Sequence, residues 1–323
     1  AARDRVSVLV VPKPTVDWAA VQAQTLSDGP TVLQACLQVL QTALAQTTSV
    51  DGPAVPRQAF FRALLDRLAQ EGESEDRDVQ QRRALLLEVA AYLVNPEEVE
   101  SANEIRSLLV THLSSPSVVC QAAALRGLRR FPSAAARLAL VSRASQLLAD
   151  SGGKQELLQV MLETLASPLE PRWKAPSPGD ADKAAWLKLI NDSCRTASEL
   201  GLRTKALRLA QTQTADRTNV RVPEAFGVLL ALAKDAQLDT QFRATCLIYL
   251  DVWLKEKEIA EQWLGALYGF LEDDQAALRL QAASSLANLP ASNDRRLDAW
   301  YTSTMSALGA RLKVESDLEV LKA

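Results

Sequence analysis

One pattern constrains this chain more than any other. Alanines at 84, 122, 206, 244 and 283 each stand three residues before a leucine, and all but Ala206 have a further apolar residue at plus six. The steps between them are 38, 84, 38 and 39 residues. The long step holds two repeats. Its midpoint falls on Met161-Leu162-Glu163-Thr164-Leu165, a helix of the same type without the alanine. A small residue lets a neighbouring helix approach closely, and the leucines fill the space beside it. One helix pair cannot bury such a face alone, so a chain with this period must stack its pairs.

From Thr31 onward the pattern reads as helix after helix. The expected spans are 31–48, 57–70, 77–94, 98–114, 117–130, 133–149, 153–167, 182–199, 202–213, 221–235, 239–254, 257–271, 274–289 and 294–314. Breakers mark their ends: Asp51-Gly52-Pro53, Asn95-Pro96, Phe131-Pro132-Ser133 and Ser151-Gly152-Gly153. Asp239 and Asp274 stand where N-caps belong, with side-chain oxygens for the free backbone N–H groups of a first turn. Residues 1–30 differ: Arg5 to Val11 is β-branched, Pro12 and Pro14 block a helix, and Asp28-Gly29-Pro30 is a break. They are expected to form an extended arm.

The period and the second-helix pattern resemble HEAT repeats. Asp239 with Arg243, and Asp78 with Arg82, match the family's Asp–Arg spacing, while Asp274 and Arg279 are one residue out of register. Ser117 and Gln121 depart from it. The resemblance covers about residues 57–290. It implies an all-α, right-handed solenoid of about six helix pairs, with the matched Asp and Arg residues forming a ladder between neighbouring repeats. Residues 31–323 would make one array, interrupted by a proline-rich loop at 167–181 and closed by capping helices. HEAT arrays serve unrelated tasks, so the resemblance speaks for a fold and not for an activity.

Composition removes several function classes. A net charge of −3 and a pI near 5.5 oppose a dedicated nucleic-acid binder, whose affinity depends on displaced phosphate counterions. No stretch approaches the roughly 18 apolar residues of a membrane span. The cysteines, Cys36, Cys120, Cys194 and Cys246, lack any C-x-x-C spacing and read as buried free thiols, which slightly favours a cytoplasmic setting. An Ala-rich start without methionine also fits export after signal removal, the second of the two settings. His112 is the sole histidine, which excludes a multi-histidine metal site and leaves a catalytic triad without a nucleophile motif. It reads as a helix-end residue. The expectation is a chain without catalysis, cofactor or metal.

The remaining candidates are surfaces. The segment 167–180 carries four prolines and places Trp173 between Arg172 and Lys174. Insertions in repeat arrays map to loops, often on a binding face. Arg126, Arg129, Arg130, Arg137 and Arg143 form one basic set, and Arg195, Arg203, Lys205, Arg208, Arg217 and Arg221 a second. The leading expectation is a protein-interaction scaffold that holds a partner protein or peptide through Arg172, Trp173, Lys174, Arg126, Arg129 and Arg208. The alternative is an arginine-lined face for nucleic acid or a phosphorylated ligand. Glu71 to Asp78 reads as a solvated acidic linker, Trp253 and Trp263 as core, and Trp300 as core or cap, with a more exposed place as the alternative. Gly265-x-x-x-Gly269 reads as a site of close helix approach.

Overall fold

The computed structural model describes residues 57–320 except 73, 151–154, 167–181, 198, 214–218, 222, 256, 289–294 and 318, together with 23, 33–35, 37 and 38. The arm expected over 1–30, Ala23 apart, and the proline-rich loop lie outside the described residues. The chain divides into two compact units, residues 1–131 and 132–323.

The first unit holds α1 (Arg57–Glu71), α2 (Arg77–Leu93), α3 (Val99–His112) and α4 (Val118–Leu128). Local chemistry sets each boundary. Gly72 follows α1 at φ 56°, a left-handed conformation open to glycine and suited to ending a helix. Asp76 then caps α2, its Oδ1 accepting from Asp78 N at 2.8 Å. Ser117 caps α4 by accepting from Cys120 N at 3.4 Å. Helix α2 packs on α1, α3 and, most extensively, α4. The helix pairs α1–α2 and α3–α4 are therefore joined through their second members. The core of the joint is leucine and alanine: Leu86, Leu87, Ala90 and Ala91 of α2, with Ala124, Leu125 and Leu128 of α4, are all buried.

The second unit continues the scheme with α5 (Ala134–Ala149), α6 (Gln155–Leu165), α7 (Lys183–Thr196), α8 (Leu200–Arg208), α9 (Ala225–Lys234), α10 (Thr240–Leu250), α11 (Lys257–Leu271), α12 (Ala276–Ala287) and α13 (Arg295–Leu312). A short 3₁₀ turn, Asp251–Lys255, joins α10 to α11. Each odd-numbered helix up to α11 packs on the even-numbered one after it. The even-numbered helices also pack in series, α6 on α8, α8 on α10 and α10 on α12; among the odd-numbered ones, α5 packs on α7, α7 on α9 and α11 on α13. Ser133 caps α5 and Asp239 caps α10, the latter accepting from Phe242 N at 3.0 Å as its position in the sequence predicts.

Among the described residues the fold is helical apart from one small feature. Strands β1 (Gln211–Gln213) and β2 (Asn219–Arg221) pair antiparallel, Gln211 opposite Arg221. The helix expected over 202–213 thus stops at Arg208. Thr212 lies in β1, and a β-branched residue loses rotamer freedom in a helix. The expected cap at Asp274 is also corrected: α12 begins after Gln275, and Asp273 supplies the local bond, its Oδ1 accepting from Gln275 N at 2.9 Å.

Aromatic residues pin the middle of the second unit. Phe226 meets Trp253 and Trp263 edge-on, with ring centroids 6.1 and 6.3 Å away, and all three side chains are buried. Trp186 is buried as well, its Nε1 donating to Leu209 O at 3.1 Å.

Candidate functional site

The basic residues are best sorted by what each one holds. Arg137 and Asp182 form a buried ion pair, and Arg130 lies over the Tyr92 ring at 4.6 Å while donating to Ala91 O. Arg203 donates to Ala197 O at 2.7 Å and covers the Phe242 ring. Lys205 pairs with Glu163, and Arg195 with Asp235. These groups tie one helix to the next. The side chains of Arg217 and Arg221 lie outside the described residues.

A recurring position explains several of them. At the fourth position of α4, α8, α10 and α12 stand Gln121, Arg203, Arg243 and Arg279, and one turn further into α2 stands Arg83. Each donates to a carbonyl in the turn or helix end just before it: Ser115, Ala197, Ala233, Asp273 and, for Arg83, Gly72. The carbonyls at a helix C-terminus lack intrahelical donors, so a guanidinium or amide there satisfies them. Arg243 and Arg279 also reach forward, to Asp273 at 3.1 Å and to Glu315 at 2.7 Å. The matched residue Arg82 instead meets Glu71 at 2.7 Å. Glu71 is buried, so the acidic stretch is in part a structural joint and not wholly a solvated linker.

Among the site residues expected from sequence, Arg172, Trp173 and Lys174 lie outside the described residues. Arg126 and Arg129 are exposed on α4 in the first unit, and Arg208 is exposed at the end of α8 in the second. Arg126 donates through Nε to Glu88 Oε1 at 2.8 Å. Two of these arginines share a feature the sequence reading missed. On α4, Val118, Ala122 and Arg126 are spaced by four, so they share one face, and Val118 is exposed. On α8, Leu200, Thr204 and Arg208 repeat the arrangement, with Leu200 exposed. An exposed apolar side chain two turns before an arginine was visible in the sequence, but its exposure was not.

His112 ends α3 as expected. Its Nδ1 lies 2.9 Å from Leu108 O and its Nε2 3.3 Å from Arg83. Cys120, Cys194 and Cys246 are buried free thiols. Burial, reinforced by the neighbouring Cys246, raises the Cys194 thiol far above its ordinary range, and burial pushes Cys246 up to about 12. Neither supplies a thiolate nucleophile near neutral pH. No group of three His, Cys, Asp or Glu side chains is placed to hold a metal ion among the described residues. No described helix is long and apolar enough to cross a membrane.

One open feature contradicts its sequence reading. Among the described residues, a Cβ built on Gly265 or Gly269 would have no atom within 4 Å, so none of them closely approaches the G-x-x-x-G face of α11. That face instead borders a cavity of about 270 Å³, which Lys234, Arg243, Phe270 and Asp273 also line.

No protein-family model matches the sequence, and no curated protein matches it. Among solved structures, the crystal structure of an engineered protein aligns at 18% identity over 94% of this chain and 81% of that one, with a TM-score of 0.40. No argument rests on a likeness of that size.

Proposed function

We propose that this chain is a non-catalytic interaction scaffold whose units are HEAT-like, right-handed α-solenoid stacks. A partner protein or peptide binds the exposed faces of second helices. The observation that supports this reading is the repeated face on α4 and α8. Each presents an exposed aliphatic side chain, Val118 or Leu200, and an exposed arginine two turns on, Arg126 or Arg208. An apolar anchor beside a cation suits a partner surface that mixes aliphatic and acidic groups. Most other arginines are engaged in holding helices together, which weighs against a broad arginine groove for nucleic acid. Trp173, between Arg172 and Lys174, offers a further anchor.

The test is co-purification of the tagged chain from its native host at low and moderate salt, with the wild type beside Val118→Asp and Leu200→Asp. The reading expects one protein retained in near-equal amount at both salts and lost from at least one variant. Retention of nucleic acid at low salt alone would move the assignment to an electrostatic binder. A partner held equally by all three proteins would remove these faces from the site.

A further inference from the structure

The cavity beside α11 arises from a gap in the packing. Helix α5 packs on α7 and α7 on α9, but no comparable packing joins α9 to α11. The two helices meet through Phe226, at the start of α9, and Trp263. Beyond that contact, Lys234 ends α9, and Gly265 and Gly269 leave the facing side of α11 bare.

The cavity holds more donors than acceptors. Arg243 is 7% exposed; its Nε donates to Ala233 O at 2.8 Å and its Nη2 to Asp273 Oδ2 at 3.1 Å. Its Nη1 has no acceptor among the described residues. Asp273 is engaged at both oxygens, Oδ2 by Arg243 and Oδ1 by Gln275 N. Lys234 is exposed at the cavity and has no ion-pair partner among the described residues. The adjacent Asp235 is engaged by Arg195. The guanidinium of Arg243 and the ammonium of Lys234 therefore line a residue-sized space, and both oxygens of its one carboxylate already accept hydrogen bonds. Charge-assisted bonds to such donors favour a planar anionic oxygen pair, and the bare glycines let a peptide backbone come close.

We propose that this cavity is a subsite for an acidic side chain, a glutamate or aspartate presented by a partner peptide. Its carboxylate bonds Lys234 Nζ and Arg243 Nη1 while the peptide backbone crosses Gly265 and Gly269. The proposal deepens the scaffold reading and rests on it for the nature of the ligand.

The test uses fluorescence anisotropy of a labelled peptide of alternating glutamate and alanine, about ten residues long, with a glutamine–alanine peptide as control. Saturable binding of the first is expected, about tenfold tighter than the second. Lys234→Ala and Gly269→Leu should each weaken it about tenfold. Gly269→Leu fills open space with a better helix former, so its thermal midpoint should hold or rise, separating a blocked site from a damaged fold. Absence of saturable binding, equal affinity for the two peptides, or full affinity in Gly269→Leu would overturn the proposal. So would displacement of the glutamate peptide by an oligothymidylate in stoichiometric amount, which would assign the cavity to phosphate. The scaffold reading fails separately: a host partner retained equally by wild type and Gly269→Leu leaves that reading intact while the subsite falls.

Discussion

Arg137, in the first turn of α5, grips Asp182, the residue before α7, with two parallel bonds of 2.5 Å (Nε–Oδ2) and 2.9 Å (Nη2–Oδ1). Their side chains are only 6% and 5% exposed. This pair joins the first helices of two successive pairs across 45 residues of sequence. Removing one partner strips a buried charge of its two-bond counterpart, a change that costs about 3–5 kcal/mol, whereas replacing both with apolar side chains is often neutral. Asp182→Asn and Arg137→Met should therefore each destabilise the second unit by that order in urea unfolding. The double variant Arg137→Met/Asp182→Leu should recover most of the loss. A double variant as unstable as the sum of the singles would show that the bond geometry, not the stranded charge, carries the effect.

Glycine at two sites predicts opposite outcomes for one substitution. A Cβ on Gly127 would lie 2.9 Å from both Leu109 methyl carbons and 3.1 Å from Ala91 Cβ, inside the buried joint of the first unit. Gly127→Ala should destabilise by about 1–2 kcal/mol, because overpacking outweighs the helix-propensity gain. Gly265→Ala meets open space, so it should stabilise by up to about 1 kcal/mol. Thermal melts of the two variants decide it by sign alone.

That contrast shows what was legible in the sequence. Helix ends were readable wherever a breaker or cap residue marks them: 257–271 coincides with α11, and 77–94 differs from α2 by one residue. Trp253 and Trp263 were placed in the core from their apolar surroundings. What failed were inferences about which particular group sits opposite a residue. G-x-x-x-G spacing states that a helix face is smooth, not that a neighbour occupies it, so the cavity beside α11 was read as a contact. Arg203 was read as part of a basic surface set and Arg243 and Arg279 as ladder residues beside Asp239 and Asp274; their carbonyl and carboxylate partners lie in turns whose geometry no local pattern fixes. The helix expected over 239–254 gives way after Leu250 to the 3₁₀ turn Asp251–Lys255, where Asp251 accepts from Ser285 Oγ, 34 residues away.

Glu315 closes the last helices as a clamp. It accepts from Arg279 through both oxygens and from Arg311 Nε at 2.9 Å, and the backbone N–H groups of Ser316 and Asp317 also bond it. Bonding from Arg279 above all holds its carboxyl far below the usual 4.5. A lowered native value means the clamp is fully present above about pH 4.5 and is lost as pH falls toward the native value. Glu315→Gln should lower the thermal midpoint at pH 7 and flatten its decline in acid. Equal acid limbs in the two proteins would remove Glu315 from the acid response.

Asp251 runs the other way. Burial lifts its carboxyl from 3.8 to about 6, only partly offset by Ser285 Oγ, which donates at 2.8 Å, and by the nearby Trp263 indole. Its Oδ1 is buried without a donor among the described residues. A raised native value means the folded chain holds this proton more tightly than the unfolded one. Stability therefore falls as pH rises from about 3.8 to about 6 and is flat above, by at most about 3 kcal/mol from a shift of this size. This window lies mostly above the acid loss at Glu315, so the two effects separate between pH 5 and pH 6.5. Asp251→Asn keeps an acceptor for Ser285 and removes the ionisation. Its unfolding free energy should be nearly pH-independent in that interval, where the wild type declines. Tryptophan emission in the folded wild type should show a transition near pH 6, reporting the charge beside Trp263, and the variant should lack it. A transition that persists in Asp251→Asn would mean that another group titrates there.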